Sequence, residues 1–236
     1  MSTSTTLHPG VLRREAGRGA ATMLPLLVGY LPFALIIGVA AGRSSEPLAA
    51  WSGGLLIFAG SAHLTVIELV GQGSGLVGVV VTALLINARL TVYSASLVPL
   101  WKGAPLRARL LAAAAVIDPT LMLATRRRTQ PGTLPQQRAY YAGAAVVLTI
   151  GWAAMIAAGI ALGAQQSAAQ LLAICTPLCL AAIVGPHLRT AAGVRCVVAA
   201  ATVALATSSW PAGSGLLLAM AAGAVSGGWG VERGSS

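Results

Sequence analysis

Long apolar blocks, separated by short polar stretches, follow one another along the chain. A membrane helix needs about 20 mostly apolar residues, and by this measure the blocks cover 22–42, 50–70, 76–100, 107–125, 139–163, 168–185, 192–208 and 212–230. The pattern predicts an all-α, polytopic membrane helical bundle of seven or eight spans. No polar linker divides it, so we expect an N-terminal cytoplasmic segment (1–21), one transmembrane domain (22–230) and a C-terminal tail (231–236). An inverted repeat is compatible with this pattern, because such repeats leave little trace in a sequence.

Composition supports the membrane prediction and excludes a soluble domain. Of 236 residues, 56% are hydrophobic and 8% are charged, whereas soluble domains carry about 25% charged residues. The net charge of +10 comes from short basic runs between the apolar blocks, which is typical of topology signals and not of a nucleic-acid surface.

The distribution of Lys and Arg predicts the orientation. If all eight blocks span, ten of these residues lie on the side of the N-terminus and four on the other side. If block 50–70 is a re-entrant loop, the split becomes six against eight. The positive-inside rule therefore favours eight spans in the inner (plasma) membrane, with both termini cytoplasmic.

Helix breakers are concentrated in the first two blocks. In the first, the run PLLVGYLPF contains Pro25, Gly29 and Pro32, which predict a kink. In the second, FAGSAHL (58–64) predicts an interruption near Gly60. Interrupted helices near the midplane form the substrate sites of many secondary transporters. The alternative is that Pro and Gly are simply frequent in membrane helices.

Charged residues inside the spans are the strongest functional signal, because a charge in the bilayer is costly unless it faces protein or water. Arg89 needs a counter-charge, and Asp118 and Glu68 are the acidic residues at membrane depth. Arg89 and Asp118 either form a permanent ion pair that fixes helix registry, or they receive the carboxylate and ammonium groups of a substrate. Glu68 lies close enough to the end of its block to reach the interface. His63 is either a proton relay or a packing residue.

Helical spacing extends this polar set. Ser61, Thr65 and Glu68 share one stripe of the second block, and Arg89, Tyr93 and Ser96 share one stripe of the third, beside Asn87. Two facing polar stripes would line a path. Cys175 and Cys179 are four residues apart, but two thiols alone are weak evidence for a metal site. We expect no cofactor or metal and, without a catalytic motif, no enzyme.

The strings GYLPFALIIGVAAG, LLIFAGSAHLTVIEL and INARLTVYSASLVPL, followed by Asp118, resemble the AzlC family, the large subunits of branched-chain amino acid exporters. The likeness is clear from about Met23 to Gly163. It implies export together with a small hydrophobic subunit of the AzlD type. The chain departs from the family pattern at His63, Leu90 and Pro119, where glutamine, histidine and glutamate are usual.

Together these features predict a secondary transporter subunit that exports branched-chain or similar small aliphatic amino acids and is coupled to protons. A channel or passive pore, and a non-transporting scaffold subunit, are the alternatives. We predict proton coupling through Asp118, His63 or Glu68. The predicted substrate-binding residues are Gly29, Pro32, Ala59, Gly60, Ser61, His63, Asn87, Arg89, Tyr93 and Asp118.

Overall fold

The computed structural model describes residues 9–163, 185–208, 210 and 214–228. Every regular element in these ranges is helical. The helices are α1 (Pro9–Gly42), α2 (Pro47–Ile57), α3 (Gly60–Gly71), α4 (Leu76–Asn87), α5 (Arg89–Trp101), α6 (Leu106–Ala114), α7 (Asp118–Arg128), α8 (Leu134–Gly163), α9 (Ala191–Ala206) and α10 (Ser214–Gly228), with a 3₁₀ turn at Gly185–Arg189. The predicted sixth span, with Cys175 and Cys179, lies almost wholly outside the described residues.

The all-α prediction is confirmed for the described part of the chain. There, α1 and α8 are long and apolar enough to cross a membrane, and α4 and α5 together would form a third span that is bent by 42°. The helices α2 and α9 are apolar but shorter. The count of seven or eight spans is therefore not confirmed and stays a prediction.

Glycines allow α1 and α8 to pack backbone against backbone. A Cβ at Gly38 would overlap the Ile156 carbonyl and lie 2.6 Å from the Gly159 Cα, and a Cβ at Gly163 would lie 3.1 Å from the Val39 Cα. Two of the small-residue pairs that stand out in the sequence, Gly38/Gly42 and Gly159/Gly163, therefore meet each other, as such pairs do in membrane helix dimers.

The two long helices run parallel. Near their N-terminal ends Gly19 abuts Tyr140, and towards their C-terminal ends Gly42 lies beside Ile160. If both helices span, the intervening chain must cross the membrane an odd number of times. The eight-span prediction has three crossings here and satisfies this requirement. If the second block alone were a re-entrant loop, two crossings would remain, which is an even number.

Several element boundaries differ from the sequence prediction. The helix α1 begins at Pro9 and continues through Pro25 and Pro32 without interruption, so a kink in the first block stays a prediction. The third block is broken at Ala88, and the fourth is broken between α6 and α7. Asp118 is therefore the first residue of a helix and does not lie inside a continuous one.

The predicted loop Arg126–Arg138 is also shorter than expected. The three arginines at 126–128 form the last turn of α7, where positive charge interacts well with the helix dipole. Pro135 lies in the first turn of α8, where its missing N–H leaves no bond unmade. The loop proper is residues 129–133.

Candidate functional site at three helix breaks

The first break separates α2 from α3, as the sequence predicts. Phe58 has a left-handed backbone conformation (φ 41°), and Ala59 is extended. Positive φ is unfavourable for a bulky residue, so this turn depends on its surroundings, and Phe58 is buried in the main core cluster. A Cβ on Gly60 would lie 2.5 Å from the Phe33 ring and 3.0 Å from Trp152. Gly60 is therefore needed for close packing at the start of α3.

The second break bends α4 against α5 by 42° at Ala88. At this break the backbone hydrogen bonds join residues three positions apart, in place of the four of an α-helix. Ala88 N–H donates to the Leu85 carbonyl (3.2 Å), and Thr91 N–H donates to the Ala88 carbonyl (3.1 Å). Arg89 becomes the first residue of α5. Among the described residues, the buried Asn87 Oδ1 next to the break has no hydrogen-bond partner.

The third break separates α6 from α7. Ile117 is extended (φ −144°, ψ 177°) and Pro119 occupies the first turn of α7, where proline is tolerated because that N–H has no helical partner. The Thr120 hydroxyl accepts a bond from the Ile117 N–H (3.0 Å) and donates to the Ala115 carbonyl (2.7 Å). The Tyr141 hydroxyl donates to the Ala112 carbonyl (2.8 Å). Side chains thus satisfy the backbone groups that the break frees, as an apolar environment requires.

An ion pair joins the second and third breaks. Arg89 Nη1 lies 3.2 Å from Asp118 Oδ2, and the Tyr93 hydroxyl donates to Asp118 Oδ1 at 2.7 Å. The Arg89 and Asp118 side chains are 42% and 43% exposed. A charged pair this open, in a chain that spans a membrane, must face an aqueous path, a ligand or another protein.

The two members of the pair differ in their helix positions. Asp118 lies at the N-terminus of α7, where the partial positive charge of the helix stabilises a carboxylate. Arg89 lies where α4 ends and α5 begins, so the opposite partial charges of the two helix ends offset each other beside it. Arg89 therefore needs the carboxylate of a side chain or a ligand, and in this structure Asp118 supplies it.

Packing brings the first break towards this pair. Ile86, one residue before Asn87, packs on Ala59 and Ala62 at the α2–α3 break. Phe58 and Ala115, from the first and third breaks, belong to one buried cluster. The structure therefore gathers three interrupted helices around α1 and α8.

Tyr30 on α1 is part of this region, although the sequence did not identify it as a candidate. Its phenol lies close enough to Asp118 and Arg89 for both charges to act on it, and it packs against the main core cluster. The sequence feature that could have identified Tyr30 is its position between Gly29 and Pro32, the two α1 residues that the sequence analysis did select. Pro32 is half-buried and Gly29 is exposed with open space around it.

His63 is 1% exposed, and its Nε2 donates to the Ala50 carbonyl of α2 at 2.7 Å. Its ring lies against Gly54, where a Cβ would be 2.8 Å from the ring. These contacts are those of a packing residue, although Nδ1 is buried without a partner among the described residues.

The remaining candidates lie on α3. Ser61 is exposed in its first turn, next to the break. Glu68 is exposed near the opposite end of the helix, and no contact links it to Arg89 or Asp118 within the described chain. The structure therefore brings Arg89, Tyr93 and Asp118 into direct contact, with Tyr30 nearby, and leaves Glu68 apart.

Comparison with known families identifies the chain. The family model of the AzlC protein matches residues 25–165, more than half of the sequence. The chain belongs to the AzlC family. The match confirms the resemblance in the sequence motifs and contains all three helix breaks. The AzlC family is associated with branched-chain amino acid transport and is not a family of enzymes. Searches of curated proteins and of solved structures give no significant match.

Proposed function

We propose that this AzlC protein is the large subunit of a secondary exporter of branched-chain or similar small aliphatic amino acids. The observation that carries the proposal is the half-exposed contact of Arg89, Tyr93 and Asp118 between two broken helices. Family membership supports amino acid transport, and the geometry supports a binding site for a zwitterion.

In this proposal, the substrate separates the Arg89–Asp118 pair and takes the place of each partner. Its carboxylate binds the Arg89 guanidinium, which can donate two parallel hydrogen bonds. Its ammonium group binds Asp118, which keeps its bond from the Tyr93 hydroxyl. The aliphatic side chain packs near the α2–α3 break, beside Ala59 and Gly60, and Asn87 and Ser61 supply further polar contacts.

Release requires Asp118 to lose its attraction for the ammonium group. Protonation of Asp118 would do this, and the pair with Arg89 would re-form once the proton leaves. Asp118 is therefore our first candidate for proton coupling. His63 and Glu68 are secondary candidates, since neither touches the pair in the described structure.

We further propose that the protein works in the inner membrane, with both termini cytoplasmic and with a small hydrophobic partner of the AzlD type. The Lys and Arg count supports the orientation. Large apolar side chains on one helix, Leu76, Val77, Leu84 and Leu85 of α4, are exposed, which fits contact with lipid or with another hydrophobic subunit.

Efflux tests the proposal directly. Cells that lack other exporters are preloaded with radiolabelled leucine, isoleucine, valine or methionine, and efflux is followed with and without a co-expressed partner subunit. We expect saturable efflux that responds to the proton gradient and falls at least about tenfold in Asp118→Asn, because a charged contact to the substrate is lost. Flux without saturation would indicate a channel. No efflux of any of the four from folded protein would contradict the branched-chain assignment.

A further inference from the structure

A polar cavity lies near the N-terminal part of α1, away from the candidate substrate site. It has a volume of about 150 Å³ and lies between α1, α7 and α8. Its lining carries three guanidinium groups, two hydroxyls and an amide: Arg18, Thr22, Leu123, Arg126, Arg127, Gln130 and Tyr140. The volume is more than one water molecule needs, so the cavity has room for several waters or for one small polyatomic ion.

Close packing of α1 on α8 forms this cavity. A Cβ at Gly19 would overlap the Tyr140 carbonyl, and one at Gly143 would overlap the Ala16 carbonyl. The Tyr140 side chain is buried beside this contact. The close packing of the two helix backbones therefore fixes the position of Tyr140, which forms one wall of the cavity.

The charges of the cavity are not balanced. Glu15 binds two of the arginines, with Arg127 Nε at 3.1 Å and Arg18 Nη1 at 2.8 Å. Arg127 is 4% exposed and also donates to the Pro131 carbonyl at 3.0 Å, so it is a fixed part of the floor. Arg126 is exposed and makes no side-chain hydrogen bond or ion pair within the described residues. Three positive charges face one carboxylate, and the surplus favours an anion.

The position of the cavity indicates which anion. Arg18 and Thr22 lie where the apolar block 22–42 begins, on the side that the Lys and Arg count assigns to the cytoplasm. Membrane phosphates are concentrated at this depth, and basic pockets between helices on the cytoplasmic side bind anionic head groups. Guanidinium groups pair with phosphate through two parallel hydrogen bonds.

We propose that this cavity binds a phosphate group at the cytoplasmic membrane surface, with Arg126 and Arg18 as its mobile ligands and Arg127 and Tyr140 as its fixed wall. The phosphate can belong to an anionic phospholipid or to a soluble molecule. The site is distinct from the Arg89–Asp118 pair, and binding there does not depend on transport.

The test uses the purified full-length protein and follows its thermal unfolding midpoint. One arm titrates inorganic phosphate against chloride at matched ionic strength. The other compares nanodiscs of phosphatidylcholine with nanodiscs that also contain phosphatidylglycerol. The variant is Arg126→Gln, and the matched control is Arg14→Gln, which removes an equal charge from an exposed position outside the cavity.

We expect phosphate or phosphatidylglycerol to raise the midpoint of the wild type and of Arg14→Gln. In Arg126→Gln the apparent affinity should fall by about tenfold or more, the loss expected for one charge-assisted hydrogen bond. A response in the nanodisc arm alone assigns the phosphate to lipid, and a response to inorganic phosphate alone assigns it to a soluble ligand. An equal response in all three proteins, or none in any, would overturn the proposal. Tyr140→Phe, which removes only a hydroxyl, provides a second variant.

Discussion

The Arg89–Asp118 pair should contribute little to stability although it is central to the proposed site. Both side chains are more than 40% exposed, and exposed ion pairs typically contribute about 0.2–1 kcal/mol. We therefore expect Arg89→Gln and Asp118→Asn each to lower the free energy of unfolding by about 1 kcal/mol or less. Their coupling energy should be equally small.

The same chain offers a buried pair as a matched contrast. Arg127 Nε and Glu15 Oε2 are 3.1 Å apart, nearly the distance in the Arg89 pair, but the two side chains are only 4% and 10% exposed. Removing one partner of a buried pair leaves an uncompensated charge and costs about 3–5 kcal/mol. Arg127→Gln should therefore be much more destabilising than Arg89→Gln, although the residue change is the same.

Reversible unfolding in mixed micelles, followed by circular dichroism, measures both effects. The four proteins of a double-mutant cycle at Arg89 and Asp118 give the coupling energy. A coupling energy of about 3 kcal/mol or more, well above the range of exposed ion pairs, would show that Arg89–Asp118 is a structural lock. The interpretation as an opening substrate contact would then be wrong.

Three further predictions concern the scaffold. Gly159→Ala places a Cβ 2.8 Å from the Gly38 Cα and should lower the free energy of unfolding by about 1–3 kcal/mol. The control Gly17→Ala adds a Cβ with nothing within 4 Å and should be neutral or stabilising. Thermal unfolding distinguishes the two variants. Thr120→Val removes both bonds at the α6–α7 break and should cost about 1–3 kcal/mol in the same assay. Burial acts to raise the pKa of Glu15, which lies ahead of the apolar block 22–42, but hydrogen bonds and charge from Arg127 and Arg18 lower it below its ordinary value. The carboxylate therefore adds stability above about pH 4.3 that is lost as pH falls through its lowered pKa; an acid titration of the unfolding midpoint should show this loss in the wild type and a weaker dependence in Glu15→Gln.

The sequence predicted the break near Gly60 because its signal is local. Small residues and a glycine interrupt an apolar run there, and Gly60 does pack directly against Phe33 and Trp152. In the fourth block, Pro119 disfavours a helical conformation at the residue before it. The apolar residues on both sides nevertheless favoured one continuous span, so the helix start at Asp118 was missed.

The break at Ala88 has no comparable signal. Asn87, Ala88 and Arg89 include neither proline nor glycine, and the contact of Arg89 with Asp118 joins residues 29 positions apart. Such contacts depend on tertiary packing, which the hydrophobic periodicity and the composition of a sequence do not reveal. The glycine pairs are similar: their spacing indicates close packing, but only the structure shows that Gly38 meets Gly159.

Counterflow in proteoliposomes tests the central claim most directly. Vesicles with purified protein, and with the partner subunit where it is required, are loaded with unlabelled leucine, and entry of radiolabelled leucine is followed. The comparison covers the wild type, Arg89→Gln, Asp118→Asn and Arg14→Gln as a control for charge. We predict that counterflow is saturable, is retained in the control and is lost in both site variants while their folding is intact. Counterflow that persists in folded Arg89→Gln and Asp118→Asn would contradict a substrate site at the three helix breaks.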